Sequence, residues 1–407
     1  MTTPESAATG PLAGIRIIDL SSVFSGPMAT ALLADQGAEV IKIESHEGDI
    51  SRRVGPAKGD LSATFIVTNR GKRSISIDLK SPAALPILQA LLRSADAVVN
   101  NFRPGVMERL GLPDALLVQL NPRLVRLSIT GFGPTGPRAE DRAYDAVIQA
   151  VSGMSASHRD KHSGQPGLLS TTVCDKLTAL TAAQALTAAL FARARDGQGR
   201  LVEVAMLDAA VAFQWVDAMY NQVFLDDAPA PFPEIGLTLK PYATADGFVA
   251  SMGPQQSEFK GLCEALNHPE IALDPRFLTQ QARGRHPREL RAVLEPLFAG
   301  FSTDELEIAA RAQGAPLGRV NEHAQVLSDP QVLHNHLLTD LDHGEIGRVR
   351  LARAAAVFDG VATAPLAPAP HLGQHGRALL SEFGFDEAQV AQWIASGVLR
   401  VPAGRST

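Results

Sequence analysis

The stretch Gly14–Glu44, GIRIIDLSSVFSGPMATALLADQGAEVIKIE, decides the fold. GIRIIDL reads as a buried strand, because its apolar run is short and bounded by glycine and a polar loop. SSVFSGP is that loop, and Pro27 stands where a helix begins, a position that does not need its missing N–H. MATALLADQG then runs as a helix to Gly37, and AEVIKIE is a second strand ending in Glu44. Strand, helix and strand predict a βαβ unit, hence an α/β fold with a parallel sheet of Rossmann-like topology.

The pattern continues outward. SISIDL predicts a strand and SPAALPILQALLRSA a helix that starts late or kinks at Pro86. DAVVNNF, VMERLGL and LVRLSIT follow as strand, helix and strand. Ligands of such sheets gather at the carboxyl ends of the strands. Val23-Phe24, Glu44-Ser45, Asn101-Phe102 and Thr130-Gly131 all lie there. Glu44 imitates the ribose-binding acid of nicotinamide enzymes, but the first turn lacks the G-x-G-x-x-G through which backbone approaches a pyrophosphate. The literal match at Gly131–Gly136, GFGPTG, is read as a tight turn, since Pro134 and Pro137 forbid the helix that should open there. In Asn69–Lys80, the cations Arg70, Lys72, Arg73 and Lys80 flank an alternating strand. They read either as a solvated hairpin or as a site for an anion with several phosphates.

A second informative stretch is Thr171–Ala210. Asp175 precedes a run of Ala, Leu and Thr that carries no charge from Leu177 to Ala192 and predicts a long core helix. Asp-Gly-Gln-Gly stops it, and LVEVAM reads as a short buried strand. An acid at a helix start is either an N-cap or a carboxylate held at the positive helix end for chemistry.

At 407 residues the chain exceeds a usual single core, so two domains are expected. Net charge is −6 without a basic block, which argues against a nucleic-acid partner. Cys174 and Cys263 form neither a disulfide framework nor a metal spacing, consistent with a cytoplasmic setting. The first residues lack the basic start and apolar core of a signal peptide and read as a tail to about Gly10. No run is convincing as a membrane span. Residues 11–224 are assigned to the large domain, and the proline-rich 225–239 to a linker. Residues 240–332 form a smaller α+β domain that opens on a hairpin around Ala245-Asp246-Gly247. Residues 333–347 are a second linker, and 348–407 return to the large domain.

Taken together these residues resemble the family III CoA-transferases, the group that includes formyl-CoA transferase and carnitine CoA-transferase and whose fold the 2-methylacyl-CoA racemases share. The resemblance runs from about Leu12 to the C-terminus through ordered segments. They include GIRIIDLSSVFSGP, GAEVIKIE, NRGKRSISIDLK, NNFRPGVMERLG, SITGFGPTGP, YDAVIQAVSG, GRLVEVAMLDA and PHLGQH. It implies coenzyme A thioesters as substrates, no resident cofactor or metal, and an interlocked homodimer. Asp175 matches the family nucleophile and Tyr144 an active-site tyrosine. Val23, Phe24, Ile77, Lys80, Asn101, Phe102, Arg109, Arg142 and Met206 match coenzyme A contacts; Phe24 and Arg142 differ in type from the family pattern. The racemases place a histidine where Tyr144 stands. With an ordinary pKa of about 10, tyrosine is ill suited to α-proton exchange, so transfer is favoured over racemisation or isomerisation of a 2-methylacyl-CoA, with a non-catalytic CoA-binding protein as the other alternative. Formyl-CoA transferase carries a glycine run in its small domain. Here VASMGPQQ offers only Gly253, so water exclusion is expected to be arranged differently.

Overall fold

The computed structural model describes residues 10–160, 163–233, 240–362 and 367–402. The expected N-terminal tail, the end of the first linker (234–239) and the centre of the proline-rich stretch before Pro370 lie outside the described residues.

The central sheet has seven strands: β1 (Arg16–Asp19), β2 (Glu39–Glu44), β3 (Lys72–Ile77), β4 (Ala97–Asn100), β5 (Val125–Thr130), β6 (Leu201–Ala205) and β7 (Leu399–Arg400). Their order is β7-β3-β2-β1-β4-β5-β6, and all but β7 run parallel. The first six strands thus follow the Rossmann order, whose switch point lies between β1 and β4. Adjacent residues of β1 face opposite sides. Ile18 joins Ile41, Ile75, Leu88 and Val98 in one core, and Ile17 joins Val40, Val99, Leu33 and Leu127 in the other.

Four helices matter for the site: α1 (Ser25–Asp35), α2 (Asp145–Val151), α3 (Val173–Asp196) and α4 (Met206–Gln214). Ala29 and Leu33 of α1 share the second core with Ala179, Ala182 and Leu186 of α3. Small residues let these helices approach closely. At the far end of α3, Gly197 (φ 75°) adopts the left-handed conformation and its N–H closes on Arg193 O at 2.8 Å. By length and composition α3 resembles a membrane span. Its core face is packed, but Leu180 and Phe191 are 55% and 65% exposed, so it is less buried than the sequence suggests.

The chain divides into two compact units, one of residues 1–155, 168–211 and 333–407, the other of 156–167 and 212–332. The crossing into the main part of the second unit, between Val211 and Ala212, falls inside α4, ahead of the proline-rich stretch. The second unit is α+β. Tyr242–Ala243, Phe248–Ser251 and Leu317–Arg319 form an antiparallel sheet, beside helices Gln256–Ala265, Pro287–Phe298 and Thr303–Ala312. Its core gathers Val249, Leu262, Leu294, Leu306 and a stacked Tyr242–Phe298 pair at 4.2 Å.

Two expectations need correction. The basic segment is not a solvated hairpin: β3 is an interior strand of the sheet, and three of its four cations are spent on ion pairs, with Lys80 left exposed. Arg70 pairs with Asp35, Lys72 with Asp19 at 2.8 Å, and Arg73 with Glu39 and Glu382. LVEVAM is an edge strand with Leu201 half exposed, since no strand among the described residues flanks β6 on its outer side. Leu338–Asp342 pairs with Arg348–Ala352 as a hairpin, as the alternation in TDLDHGEIGRVRLA predicts.

Candidate active site

The loop after β1 is held unusually tightly. Asp19 is fully buried and accepts from the backbone N–H and hydroxyl of Ser21, from Thr30 Oγ1 at 2.7 Å and from Lys72 Nζ at 2.8 Å. Burial pushes the Asp19 carboxyl up, and Lys72 and Lys42 together pull it well below the usual carboxylate range. Lys42 Nζ donates to Ser21 O at 2.9 Å and pairs with Asp49 at 2.9 Å. Asn101 takes both backbone groups of Ser22: its Oδ1 accepts the N–H at 2.9 Å and its Nδ2 donates to the carbonyl at 2.7 Å. Asp49 Oδ1 accepts the Val23 N–H at 3.0 Å. Two consecutive peptide units, 21–22 and 22–23, are thereby pinned by side chains from β2, the loop after β4 and the loop after β2.

That pinning supports strain. Val23 sits at φ 70°, a region costly for a β-branched residue. The turn delivers Ser25 and Gly26 into the first turn of α1, which has no side-chain cap. Gly26 is required there, because a Cβ would stand 2.3 Å from Ser21 Cβ. Glu44 is consumed by Arg52, at 2.7 Å, together with Ser74 and the Asp49 N–H, and offers nothing to a ribose.

Asp175 occupies the third position of α3. The nominal cap, Thr172, makes no side-chain bond. The Asp175 N–H instead donates to Asp145 Oδ2 at 3.0 Å, so a second acid, buried in the first turn of α2, does the capping. Asp145 Oδ1 accepts from Gln149 Nε2 at 2.5 Å, and Gln149 also grips Leu169 and Thr171, the segment that feeds α3. The Asp175 side chain is left free of capping duty. Its Oδ1 accepts from Ser25 Oγ at 2.5 Å, and its Oδ2 has no hydrogen-bond partner among the described residues. Burial pushes the Asp175 carboxyl up to about 6; the Ser25 hydroxyl opposes this and the Asp145 charge adds to it. A half-buried carboxylate poised near neutrality beside a single donor suits nucleophilic or acid–base work.

Around it, Cys174, Ile148, Met206 and Ala210 form an apolar cluster that locks the starts of α2, α3 and α4 together. Cys174 is inert: it is fully buried and its thiol is pushed up to about 12 by burial, then by Asp145 and Asp175.

The other expected site residues divide. Tyr144 stands at the N-cap position of α2, next to Asp145, and is 64% exposed. Lys80, Arg109 and Arg142 are exposed beyond the carboxyl ends of β3, β4 and β5 and have no ion-pair partner among the described residues. Val23, Phe24 and Phe102 are partly exposed near the switch point, and Phe102 also lines a cavity of about 220 Å³ beside β4 and β5. Asn101 spends its amide on the β1 loop. Met206 is buried in the apolar cluster with Cys174. Ile77 departs from expectation: it is fully buried in the first core and pairs with Leu399, so its side chain packs the fold rather than facing a ligand. Ser25 and Asp145 were not singled out from sequence, although a hydroxyl just before Gly-Pro and an acid in a first turn are both helix-start signals.

The sequence profile of CoA-transferase family III matches residues 12–376. The chain belongs to this family. It is 35% identical to the succinate–glutarate CoA-transferase of Agrobacterium fabrum, over 91% of this chain and 95% of that protein. It is 34% identical to the acetyl-CoA:oxalate CoA-transferase of Acetobacter aceti, over 95% and 99%. Among solved structures, Rv3272 from Mycobacterium tuberculosis superposes with a TM-score of 0.79 at 29% identity, covering 91% of this chain and 99% of that one. A CAIB/BAIF family protein from Brucella suis gives 0.77 at 30%, covering 92% and 100%. This family III CoA-transferase therefore acts on coenzyme A thioesters, and its α/β fold is that of its relatives.

Proposed function

We infer that the enzyme moves coenzyme A from an acyl-CoA to a carboxylic acid through Asp175. The observation that carries this is the division of labour at α3: Asp145 caps the helix, while Asp175 presents an unbonded Oδ2 from a site that raises its basicity. Asp175 attacks the thioester carbon, giving a mixed anhydride and CoA thiolate. The thiolate adds to the aspartyl carbon and expels the first acid, leaving an aspartyl-CoA thioester. The acceptor carboxylate enters, and the steps reverse. Each step exchanges carboxylate and thiolate at an acyl carbon, so positioning and a buried site supply the catalysis.

Lys80, Arg109 and Arg142 are cations available for the phosphates of coenzyme A, with Val23, Phe24, Asn101 and Phe102 along the switch point and Tyr144 facing the acyl group. The names of the relatives favour small dicarboxylates, such as succinate, glutarate or oxalate, as donor and acceptor. Exposed apolar side chains occur on α3 (Leu180, Phe191) and in the segment from Phe213 to Leu225, and support a homodimer, in the interlocked form the family resemblance implies.

Incubation with succinyl-CoA and hydroxylamine tests the chemistry. A hydroxamate on the Asp175 peptide, seen by mass spectrometry and lost in Asp175→Ala, is expected. Deuterium wash-in at the α-carbon without any acceptor acid would point to a racemase instead.

A further inference from the structure

We propose that Ser25 is the donor that stabilises charge on the aspartyl oxygen during the exchange steps, and that it makes Oδ2 the attacking atom. The inference rests on Asp175 being the nucleophile.

Ser25 is 4% exposed, in the first turn of α1, and its hydroxyl lies 2.5 Å from Asp175 Oδ1. The bond links residues 150 positions apart, and both ends are fixed. The strained Val23 turn and the Gly26–Ser21 approach set Ser25; the Asp145 cap sets Asp175. An oxygen that already accepts a short hydrogen bond is the weaker nucleophile, so attack on the acyl carbon falls to Oδ2. In the anhydride Oδ2 then bridges to the acyl carbon, and Oδ1 is the aspartyl carbonyl, still facing Ser25.

When CoA thiolate adds to the aspartyl carbon, an S–C bond forms and the carbonyl pair moves onto Oδ1. Collapse restores the carbonyl, breaks the bond to Oδ2 and releases the first acid as its carboxylate. The acceptor repeats this in reverse, with thiolate leaving. Negative charge therefore gathers on Oδ1 in both steps at the aspartyl carbon, where a hydroxyl donor is already in place and need not reorganise. In the first step, attack on the acyl-CoA, the charge develops on the substrate oxygen instead, which Ser25 does not touch.

This asymmetry gives the test. Exchange of labelled CoA into acyl-CoA needs only attack by Asp175. Exchange of labelled acid into acyl-CoA also needs addition at the aspartyl carbon. For Ser25→Ala, acid exchange is expected to fall on the order of 10²-fold, the loss typical of one oxyanion donor, with CoA exchange falling much less. Ser25→Thr, which keeps the hydroxyl, is expected to recover most of the acid exchange. The acid limb of kcat/KM should also move to higher pH in Ser25→Ala, because a donor that favours the ionised form is lost. Equal losses in both exchanges, or none, would overturn the role of Ser25 while leaving hydroxamate at Asp175 intact. Absence of hydroxamate in the wild-type enzyme would remove the nucleophile itself.

Discussion

Asp145 accepts the backbone N–H of Asp175 at 3.0 Å, so one carboxylate starts the helix and the other is left to react. The Asp145 charge raises the cost of ionising Asp175 and, after burial, is one cause of its elevated carboxyl. The same pair thus builds the helix start and tunes the site. Removing either acid separates the two effects.

Asp145→Asn tests the tuning. An amide offers one acceptor where two donors, the Asp175 N–H and Gln149 Nε2, converge, so one hydrogen bond is lost. Stability should fall by about 1–2 kcal/mol in urea unfolding. The acid limb of kcat/KM should move to lower pH, opposite in sign to Ser25→Ala, because a negative neighbour has gone. Movement of both variants in the same direction would contradict the electrostatic account.

Asp175→Asn tests the cost of the site. The folded carboxyl is raised to about 6 from 3.8, so the folded state binds a proton more tightly than the unfolded chain. Stability then falls as pH rises between these two values and stays reduced above them. The variant should therefore melt above the wild type at pH 8, by about 1–3 kcal/mol, with the gap closing toward pH 4. Calorimetry across that range checks the sign. A variant less stable at pH 8 would mean that Asp175 holds the helix rather than strains it.

The basic segment predicts a contrast between neighbouring lysines. Lys72 is fully buried against Asp19, so Lys72→Met removes the cation paired with a buried carboxylate and should cost about 3–5 kcal/mol. Lys80 is exposed, so Lys80→Ala should change stability by less than about 0.5 kcal/mol. If Lys80 meets the phosphates of coenzyme A, the same change weakens CoA binding and flattens its salt dependence in calorimetric titration.

What sequence made legible follows the range of each interaction. The βαβ alternation from Gly14 to Glu44 is local, and the parallel sheet followed from it. Asp175 was visible because an acid at a helix start is a local signal, but the signal could not separate cap from nucleophile. The residues that separate them lie 30 and 150 positions away, in Asp145 and Ser25. The basic segment misled for the same reason: Asp35 and Asp19, which neutralise Arg70 and Lys72, come from α1 and β1. Charge counted along the chain looked available for a ligand because its partners arrive only through sheet pairing. Ile77 shows the converse, a position matched through resemblance whose side chain is buried in the first core.

The exposed face of α3 carries the last prediction. Leu180 and Phe191 lie about three turns apart, hence on one side of the helix, and both are more than half exposed. Water gains nothing from a leucine and a phenylalanine aligned on a helix whose opposite side packs a core, so a second copy of the chain is the expected cover. Light scattering after size-exclusion chromatography should give twice the chain mass of 43.1 kDa. Phe191→Glu should weaken the association by about 2 kcal/mol or more, roughly 30-fold, by removing an aromatic anchor and adding a charge that must be desolvated. Circular dichroism should show the helix content unchanged, because Phe191 contributes nothing to the core side of α3. A wild-type chain that scatters as a monomer at micromolar concentration would leave that apolar face without a partner and remove the dimer from the account.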